Sequence, residues 1–290
     1  MTPILADLLH LLELERLEDN IFRGQSRDIR GDEQVFGGQV LGQALTAASY
    51  TTGLRQVHSL HAYFLLPGDP NAPIVYEVDI ARDGKSFSTR RVVAIQHGRP
   101  IFNMAASFQE PEEGFEHSVP MPEVPGPDGL TDVRELPSEF FEKAPKKLRR
   151  IVSHVRPFDF RLVEPIQIDP PIKAEPRRHI WIKTVGPLPN SPDLHRNVLA
   201  YVSDYHLLVT ATRPHSVDFK PGNVQLATLD HAMWFHRPFR VDEWLLYAME
   251  SPSASGGRGL TLGRFFTQDG QLVASTAQEG VMRVWKHSSP

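Results

Sequence analysis

The chain has 290 residues, of which 40% are hydrophobic and 23% are charged, and its formal net charge is −4. This is the composition of an ordinary globular protein, and a slightly acidic chain has no overall positive field to attract nucleic acid or an anionic membrane. It has no cysteine, which excludes disulfides, thiolate nucleophiles and cysteine-bound metals.

The first segment is predicted to be an amphipathic helix. Thr2 and Pro3 resemble a helix cap and first turn, and leucines recur at helical spacing from Leu5 to Leu17. Acidic residues interrupt this segment, so it has neither the basic start nor the apolar run of a signal peptide. No stretch approaches the roughly twenty apolar residues of a membrane-spanning helix. We therefore expect a cytoplasmic protein with no stable membrane insertion.

Two pairs of similar segments indicate that one structural unit occurs twice. Residues 61–69 (HAYFLLPGD) resemble 231–239 (HAMWFHRPF) at an offset of 170, and 105–110 (AASFQE) resemble 274–279 (ASTAQE) at an offset of 169. A nearly constant offset is typical of a duplicated unit. Such units often pack against each other, and a site can form between them with its chemistry kept in only one copy.

The first unit is predicted to combine one helix with an antiparallel meander. The helix covers 39–52, directly after Gly37 and Gly38. Turn residues such as Asp83-Gly84 then separate four strands, predicted at 58–66, 74–82, 87–97 and 100–109. A helix followed by a meander is typical of an α+β fold.

The second unit is predicted to repeat this order after a linker. Residues 111–137 contain six prolines, and a helical pattern over 138–154 follows. The second unit then has strands at 158–163 and 179–185, a helix from 196 to about 212, and a meander over 224–284.

The order of elements predicts a double hotdog, in which each antiparallel sheet wraps around a central helix. We divide the chain into an N-terminal hotdog unit at 1–110, a linker with a proline-rich stretch and a helix at 111–155, and a C-terminal unit at 156–290 that carries the catalytic residues.

Asp204 is the first candidate for chemistry. It falls in the middle of the predicted second helix, among mostly apolar neighbours, so its carboxylate is expected to point toward packed structure. Aligned without gaps, the two helices place Leu41 opposite Asp204, and this asymmetry favours function in the second unit. A structural aspartate tied to the backbone or to an arginine is the alternative.

Thr228 and Gln278 are candidate site residues when they are considered together with Asp204. Thr228 falls near the start of a predicted strand, opposite His58, and Gln278 ends another strand and matches Gln109. Threonine is ordinary in a strand. A carboxylate, a hydroxyl and an amide together, however, can hold and orient a water molecule.

Basic residues near glycine-rich turns are candidates for holding the phosphates of a CoA-like ligand. A solvated edge strand protected by its charges is an equally good interpretation. The candidate substrate-binding residues are Gly37, Gly38, His58, Lys85, Arg90, Arg91 and Arg258.

Other chemistries lack their motifs. The chain has no Gly-x-Ser-x-Gly elbow, no phosphate loop that ends in Lys-Ser or Lys-Thr, and no His-Glu-x-x-His. His58 and His61 lie at an odd spacing, as do His231 and His236, so each pair faces opposite sides of a strand. We predict no metal site and no cofactor.

Over nearly its whole length the chain resembles the acyl-CoA thioesterase II family. The resemblance lies in six segments that occur in order: VFGGQVLGQAL, HSLHAYFLLPGD, RDGKSFSTRRV, ATLDHAMWFHRPF, EWLLY and QDGQLVASTAQEGVMR. It implies a double hotdog that hydrolyses acyl-CoA to free fatty acid and CoA in lipid metabolism. It also implies that the family's catalytic aspartate, threonine and glutamine are Asp204, Thr228 and Gln278. His58 is a further candidate that the resemblance suggests.

The expected mechanism is direct attack by water with Asp204 as general base, and a covalent anhydride on Asp204 is the competing route. A hotdog enoyl-CoA hydratase or dehydratase is a second hypothesis, although Asp204 and His206 are two residues apart and face different directions. A non-catalytic acyl-CoA binding protein is the third. Because hotdog sheets often pair, we expect a homo-oligomer, either a dimer or a tetramer.

Overall fold

A computed structural model describes residues 1–29, 33–132, 135, 156–164, 173–217 and 224–284. The predicted helix over 138–154 lies outside these residues. Among the described helices, none combines the length and the hydrophobicity that crossing a bilayer requires.

The described residues of the N-terminal half form two helices and six strands. They are α1 (Pro3–Leu12), β1 (Glu15–Glu18), β2 (Ile21–Gly24), α2 (Gly37–Ser49), β3 (Gln56–Phe64), β4 (Ile74–Asp83), β5 (Phe87–Gln96) and β6 (Arg99–Gln109). The predicted strands agree with β3 to β6 within a few residues, because Gly, Pro and Asp mark their turns.

The predicted first helix is too long. α1 ends at Leu12, where Glu13 turns extended, and the backbone of Glu15–Glu18 pairs with β2 instead. The side chain of Thr2 makes no capping hydrogen bond. Strand pairing therefore overrides the helical spacing of the leucines beyond α1.

The C-terminal half repeats the pattern with an interruption after its helix. Its elements are β7 (Phe158–Leu162), β8 (Arg177–Thr184), α3 (Pro192–Ser203), α4 (Leu207–Thr210), a short 3₁₀ turn (Arg213–His215), β9 (Val224–Thr228), β10 (Asp230–Phe235), β11 (Leu245–Ser255), β12 (Arg258–Thr267) and β13 (Leu272–Val284).

The described strands form one antiparallel sheet. Its order is β1-β2-β4-β5-β6-β3-β10-β13-β12-β11-β8-β7, and β9 pairs with β13. β3 and β10 join the two halves at the middle of the sheet, with Tyr63 opposite Asp230 and Ser59 opposite Trp234. The large antiparallel sheet with few helices confirms the predicted α+β class.

The two long helices pack against each other and are almost entirely buried. Residues 38–48 of α2 and 195–203 of α3 are all buried. Glycines bring the helices into backbone contact, since a Cβ on Gly42 would lie 3.3 Å from Asn197 O, and a Cβ on Gly38 would collide with Tyr201 O. The start of α2 is thereby held against the end of α3.

Part of the linker covers the outer face of the C-terminal sheet. Met121, Val124 and Leu130 pack on a small apolar cluster that includes Trp181. The Trp181 indole N–H also donates to Pro125 O at 2.8 Å. This stretch of the linker is therefore packed against the sheet.

The two halves correspond at an offset of 171 in β3, β4 and β5, which corrects the offset of 170. Three places where the strand pairing shifts register recur at this spacing. The shift between residues 57 and 59 matches the one between 228 and 230, the shift between 79 and 82 matches the one between 250 and 253, and the shift between 94 and 95 matches the one between 265 and 266.

The alignment of residues 61–69 with 231–239 is therefore one residue out of register, and that of 105–110 with 274–279 is three residues out, because Ala106 corresponds to Gln278. The first alignment matches exposed His61 with fully buried His231, and a slip of one residue moves a side chain to the other face.

Candidate active site

Asp204 caps the end of α3, which corrects its predicted place in the middle of a longer helix. His206, two residues later, has a left-handed backbone with φ of 65°, and this separates α3 from α4. The Asp204 side chain is 8% exposed. A carboxylate at this end of a helix faces the negative pole of the helix dipole, so it needs donors from elsewhere.

The start of α2 supplies one of those donors. The Gly38 N–H donates to Asp204 Oδ2 at 3.0 Å. α2 has no side-chain cap of its own and no acidic residue in its first turn, so Asp204 takes the place of an N-cap across the two halves. Gly37 and Gly38 are the first residues of α2 rather than a loop before it.

Thr228 and Gln278 complete the hydrogen bonds of Asp204. Gln278 Nε2 donates to Asp204 Oδ1 at 2.8 Å and to Thr228 Oγ1 at 2.7 Å. The Thr228 hydroxyl donates to Asp204 Oδ1 at 3.3 Å. The structure therefore brings together the three residues that the sequence singles out, with Gln278 fully buried and Thr228 partly exposed.

The strand positions of two of these residues differ from the prediction. Thr228 ends β9 rather than opening a strand, and Gln278 lies in the middle of β13. Gln109 is not the counterpart of Gln278, because it lies at the end of β6, where its amide donates to Glu112 at 3.3 Å.

The N-terminal half has no aspartate, threonine or glutamine at the corresponding positions. Tyr50 caps α2 where Asp204 caps α3, and Val57 corresponds to Thr228 at the offset of 171. Arg90 pairs with Ala106 as its counterpart Thr261 pairs with Gln278, so Ala106 corresponds to Gln278. The predicted match of Asp204 with Leu41 is wrong, but the asymmetry between the halves holds.

A second layer of polar contacts holds the end of α3. Ser203 Oγ lies 3.0 Å from His231 Nε2, and the Tyr247 hydroxyl donates to Ser203 O at 3.0 Å. Burial lowers the pKa of His231 to about 4, against the opposing effect of the Asp204 charge. His231 is therefore neutral at pH 7, and its ring fixes the residue next to Asp204.

Asp230 supports the irregularity between β9 and β10. Its Oδ1 accepts the Glu279 N–H at 2.9 Å, while the Leu229 N–H donates to Glu279 O at 2.9 Å. Bulges of this kind re-aim neighbouring side chains. Asp230, His231 and Tyr247 were not among the predicted site residues, although they lie in the ATLDHAMWFHRPF and EWLLY segments.

Arg90 is not available to a ligand, which corrects its predicted role in substrate binding. It is 1% exposed, and its guanidinium donates to Thr51 Oγ1 and Asp83 Oδ1, each at 2.8 Å. Alternation along β5 turns Arg90 into the core and Arg91 to solvent, with Arg91 Nη1 lying 3.9 Å from Asp79.

The other predicted phosphate contacts lie on the surface. Lys85 is exposed in the turn between β4 and β5. Arg258 lies at the turn between β11 and β12, and its Nε is 3.0 Å from Glu279 Oε2. Glu279 directly follows Gln278 in β13, so Arg258 contacts a sequence neighbour of one of the three central residues.

His58 lies away from Asp204, Thr228 and Gln278. It sits at the irregularity of β3, where its Nε2 is 2.8 Å from Ser107 Oγ and its ring meets Phe87 edge-on. The neighbouring Ser59 pairs with Trp234, at the opposite end of β10 from Thr228. About five residues of strand, or roughly 17 Å, separate the two positions.

Comparisons with known proteins agree along the whole chain. A family model described as acyl-CoA thioesterase matches residues 165–281, and one described as acyl-CoA thioesterase N-terminal domain matches residues 27–109. The chain is 45% identical to acyl-CoA thioesterase 2 of Haemophilus influenzae, over 98% of this chain and 99% of that protein. It is 41% identical to human acyl-coenzyme A thioesterase 8, over 94% of this chain and 88% of that protein.

Solved structures give the same result for the fold. An acyl-CoA thioesterase II from Mycobacterium marinum matches with a TM-score of 0.78 and 44% identity, covering 96% of this chain and 99% of that one. A protein from Alicyclobacillus acidocaldarius described as having the hot dog fold matches with a TM-score of 0.75 over 97% and 99% of the two chains, at 21% identity, which bears on the fold alone. The predicted double hotdog is confirmed.

Proposed function

The chain belongs to the acyl-CoA thioesterase family and is a thioester hydrolase, and we propose that it cleaves acyl-CoA with a water molecule that binds Asp204 and is oriented through the hydrogen bonds of Thr228 and Gln278 to that carboxylate. The observation that carries the proposal is Asp204 Oδ1, a buried carboxylate oxygen that accepts from both Gln278 Nε2 and Thr228 Oγ1. The three side chains come from separate elements and converge on this one atom.

Asp204 can accept a proton from water in this arrangement. A carboxylate has about four acceptor sites; Oδ1 uses two for Gln278 and Thr228, and Oδ2 uses one for the Gly38 N–H. A site on Oδ2 remains for a water molecule. That oxygen lies beside Gly37, where a Cβ would come within 2.8 Å of it, so glycine leaves room for water and substrate.

The proposed reaction is direct attack. The water oxygen bonds to the thioester carbonyl carbon as one of its protons passes to Asp204, and the carbon–sulfur bond then breaks. The proton on Asp204 passes to the CoA thiolate, which restores the carboxylate, and the acyl group leaves as the free acid. Negative charge that develops on the carbonyl oxygen requires hydrogen-bond donors, for which backbone N–H groups are candidates, because both N–H groups of the Gln278 amide already donate to Asp204 and Thr228.

Thiol release tests the function. We expect the protein to release CoA thiol from at least part of a panel of short-, medium- and long-chain acyl-CoAs. No release from any member would contradict the proposal. Single turnover in ¹⁸O-labelled water distinguishes the two routes, because direct attack labels the fatty acid, whereas label in the Asp204 carboxylate would indicate an anhydride.

We further propose the context of this activity. The enzyme acts in fatty acid metabolism in the cytoplasm, and it assembles as a dimer or tetramer. The unit boundaries at 1–110, 111–155 and 156–290 belong to the same proposal, supported by the matching order of helix and meander. Cell fractionation tests the location, and the mass from solution scattering tests the assembly, for which a monomer is the contrary result.

A further inference from the structure

Thr261 lies beside Gln278 but takes no part in the hydrogen bonds of the site. The two residues are register partners on β12 and β13, and both are fully buried. Cross-strand partners have Cβ atoms about 4.5–5.5 Å apart. The two side chains therefore share the inner face of the sheet.

Two polar atoms at this place lack a partner. Within the part of the chain that the structure describes, neither Thr261 Oγ1 nor Gln278 Oε1 makes a hydrogen bond. The hydroxyl can donate and the amide oxygen can accept. Buried polar atoms in native proteins are normally paired, with protein or with ordered water.

The N-terminal half shows what occupies the corresponding volume there. Arg90 takes the place of Thr261, and its guanidinium reaches Thr51, directly after the residue that caps α2. A threonine is much shorter than an arginine, so the Thr261 side chain leaves part of the volume that the arginine fills in the N-terminal half to other groups. One unpaired donor and one unpaired acceptor on register partners suit a bridging water molecule.

Glycines on both sides keep Thr261 in place. Gly259 and Gly263 lie on the same face of β12, two residues to either side. A Cβ on Gly259 would lie 2.7 Å from Ala211 Cβ, and one on Gly263 would lie 2.5 Å from Thr276 Oγ1. Neighbouring groups therefore pack closely around this part of the strand.

We propose that Thr261 is a positioning residue for Gln278 and acts through one water molecule held between Thr261 Oγ1 and Gln278 Oε1. The water accepts from the Thr261 hydroxyl and donates to the amide oxygen. The amide then keeps its two N–H groups on Asp204 and Thr228. This inference rests on the proposed function, because it presupposes that Gln278 serves catalysis.

Two substitutions separate the hydroxyl from packing. Thr261→Val removes the hydroxyl and nearly keeps the shape, and Thr261→Ser keeps the hydroxyl. We expect kcat of the valine variant to fall about tenfold with KM unchanged, the effect of losing about one hydrogen bond, and the serine variant to stay within about twofold of wild type. Thermal unfolding checks each variant, and Thr261→Ala replaces the valine variant if that one does not fold.

A double-mutant cycle shows whether Thr261 acts through Gln278. In a Gln278→Ala background, Thr261→Val is expected to cause no further loss of kcat. A further loss, a valine variant with wild-type kcat, or a serine variant as slow as valine would each overturn the inference. Gln278→Ala alone tests the proposed function separately, since wild-type turnover in that variant would remove Gln278 from catalysis whatever Thr261 does.

Discussion

Asp204 at the end of α3 accepts a hydrogen bond from the backbone of Gly38 at the start of α2, with 3.0 Å between Gly38 N and Asp204 Oδ2. One contact thus serves both halves of the chain. It supplies the cap that α2 lacks, and it fixes the carboxylate that the site needs. Stability and activity are therefore linked at this contact.

Gly38→Ala is predicted to lower both the stability and the activity of the protein. A Cβ at this position would collide with Tyr201 O and the Phe36 ring, so the two helices must move apart. Overpacking of this kind costs about 1–3 kcal/mol, whereas alanine in a helix otherwise gains about 0.5–1 kcal/mol over glycine. Denaturant unfolding measures the loss. Gly114→Ala is the control, because its Cβ meets nothing within 4 Å; equal stability of the two variants would contradict the prediction.

Thr228→Val and Gln278→Ala are predicted to be non-additive. Each removes a donor to the same oxygen, Asp204 Oδ1, and the two side chains also bond each other. Each single variant should lose kcat, and the double variant should lose much less than the product of the two factors. Steady-state thiol release measures all four proteins. Fully multiplicative losses would mean that the two residues act independently.

Arg90→Met is predicted to lower stability and leave kcat per folded molecule unchanged. The substitution removes the hydrogen bonds that the buried guanidinium makes to partly buried Thr51 and to Asp83, at a cost of about 1 kcal/mol or more. Arg91→Met is the matched control on the same strand, since the Arg91 side chain is 70% exposed, and a change within about 0.5 kcal/mol is expected there. If Arg90→Met is as stable as wild type and has a raised KM, the account is contradicted and Arg90 binds substrate.

His231 is predicted to make stability depend on pH in the mildly acidic range. Burial lowers its pKa to about 4 from an ordinary value of 6.5, so between these values the unfolded chain binds a proton that the folded chain does not. Stability therefore falls as pH decreases from about 6.5 to about 4, by up to about 1.4 kcal/mol per pH unit.

The comparison with His231→Leu isolates this effect from other histidines. The difference in free energy of unfolding between wild type and variant should be constant above pH 7. Below pH 6.5, the free energy of unfolding of wild type should fall relative to that of the variant. His61→Gln, at an exposed position on the neighbouring strand, should track wild type at every pH. A difference from His231→Leu that does not vary with pH would show that His231 is not held neutral.

The sequence predicted strands more accurately than it predicted faces. Glycine, proline and aspartate mark the turns, so β4 to β6 lie within about a residue of their predicted ends. The internal alignment nevertheless slipped by one residue at His61 and by three residues at Gln109, which it paired with Gln278 although Ala106 is the counterpart. Similar sequence segments carry no information about which face of a sheet their residues occupy.

The resemblance predicted which residues form the site, but the sequence did not predict how their side chains are arranged. The end of α3 at Asp204 depends on the left-handed backbone of His206, a conformation that local sequence does not demand of a histidine. Arg90 resembles an exposed strand arginine until the tertiary contacts with Thr51 and Asp83 are known. The contact of Gly38 with Asp204 joins residues 166 positions apart, beyond the reach of any local pattern.

The central claim, that Asp204 activates water, is tested most directly by kcat for thiol release in Asp204→Asn. Asp193→Asn, a carboxylate at the other end of α3, is the matched control. We predict a loss of about 10²–10⁴-fold for Asp204→Asn, the usual contribution of a general base, with the fold intact by circular dichroism and Asp193→Asn close to wild type. A folded Asp204→Asn enzyme with wild-type kcat would contradict the account.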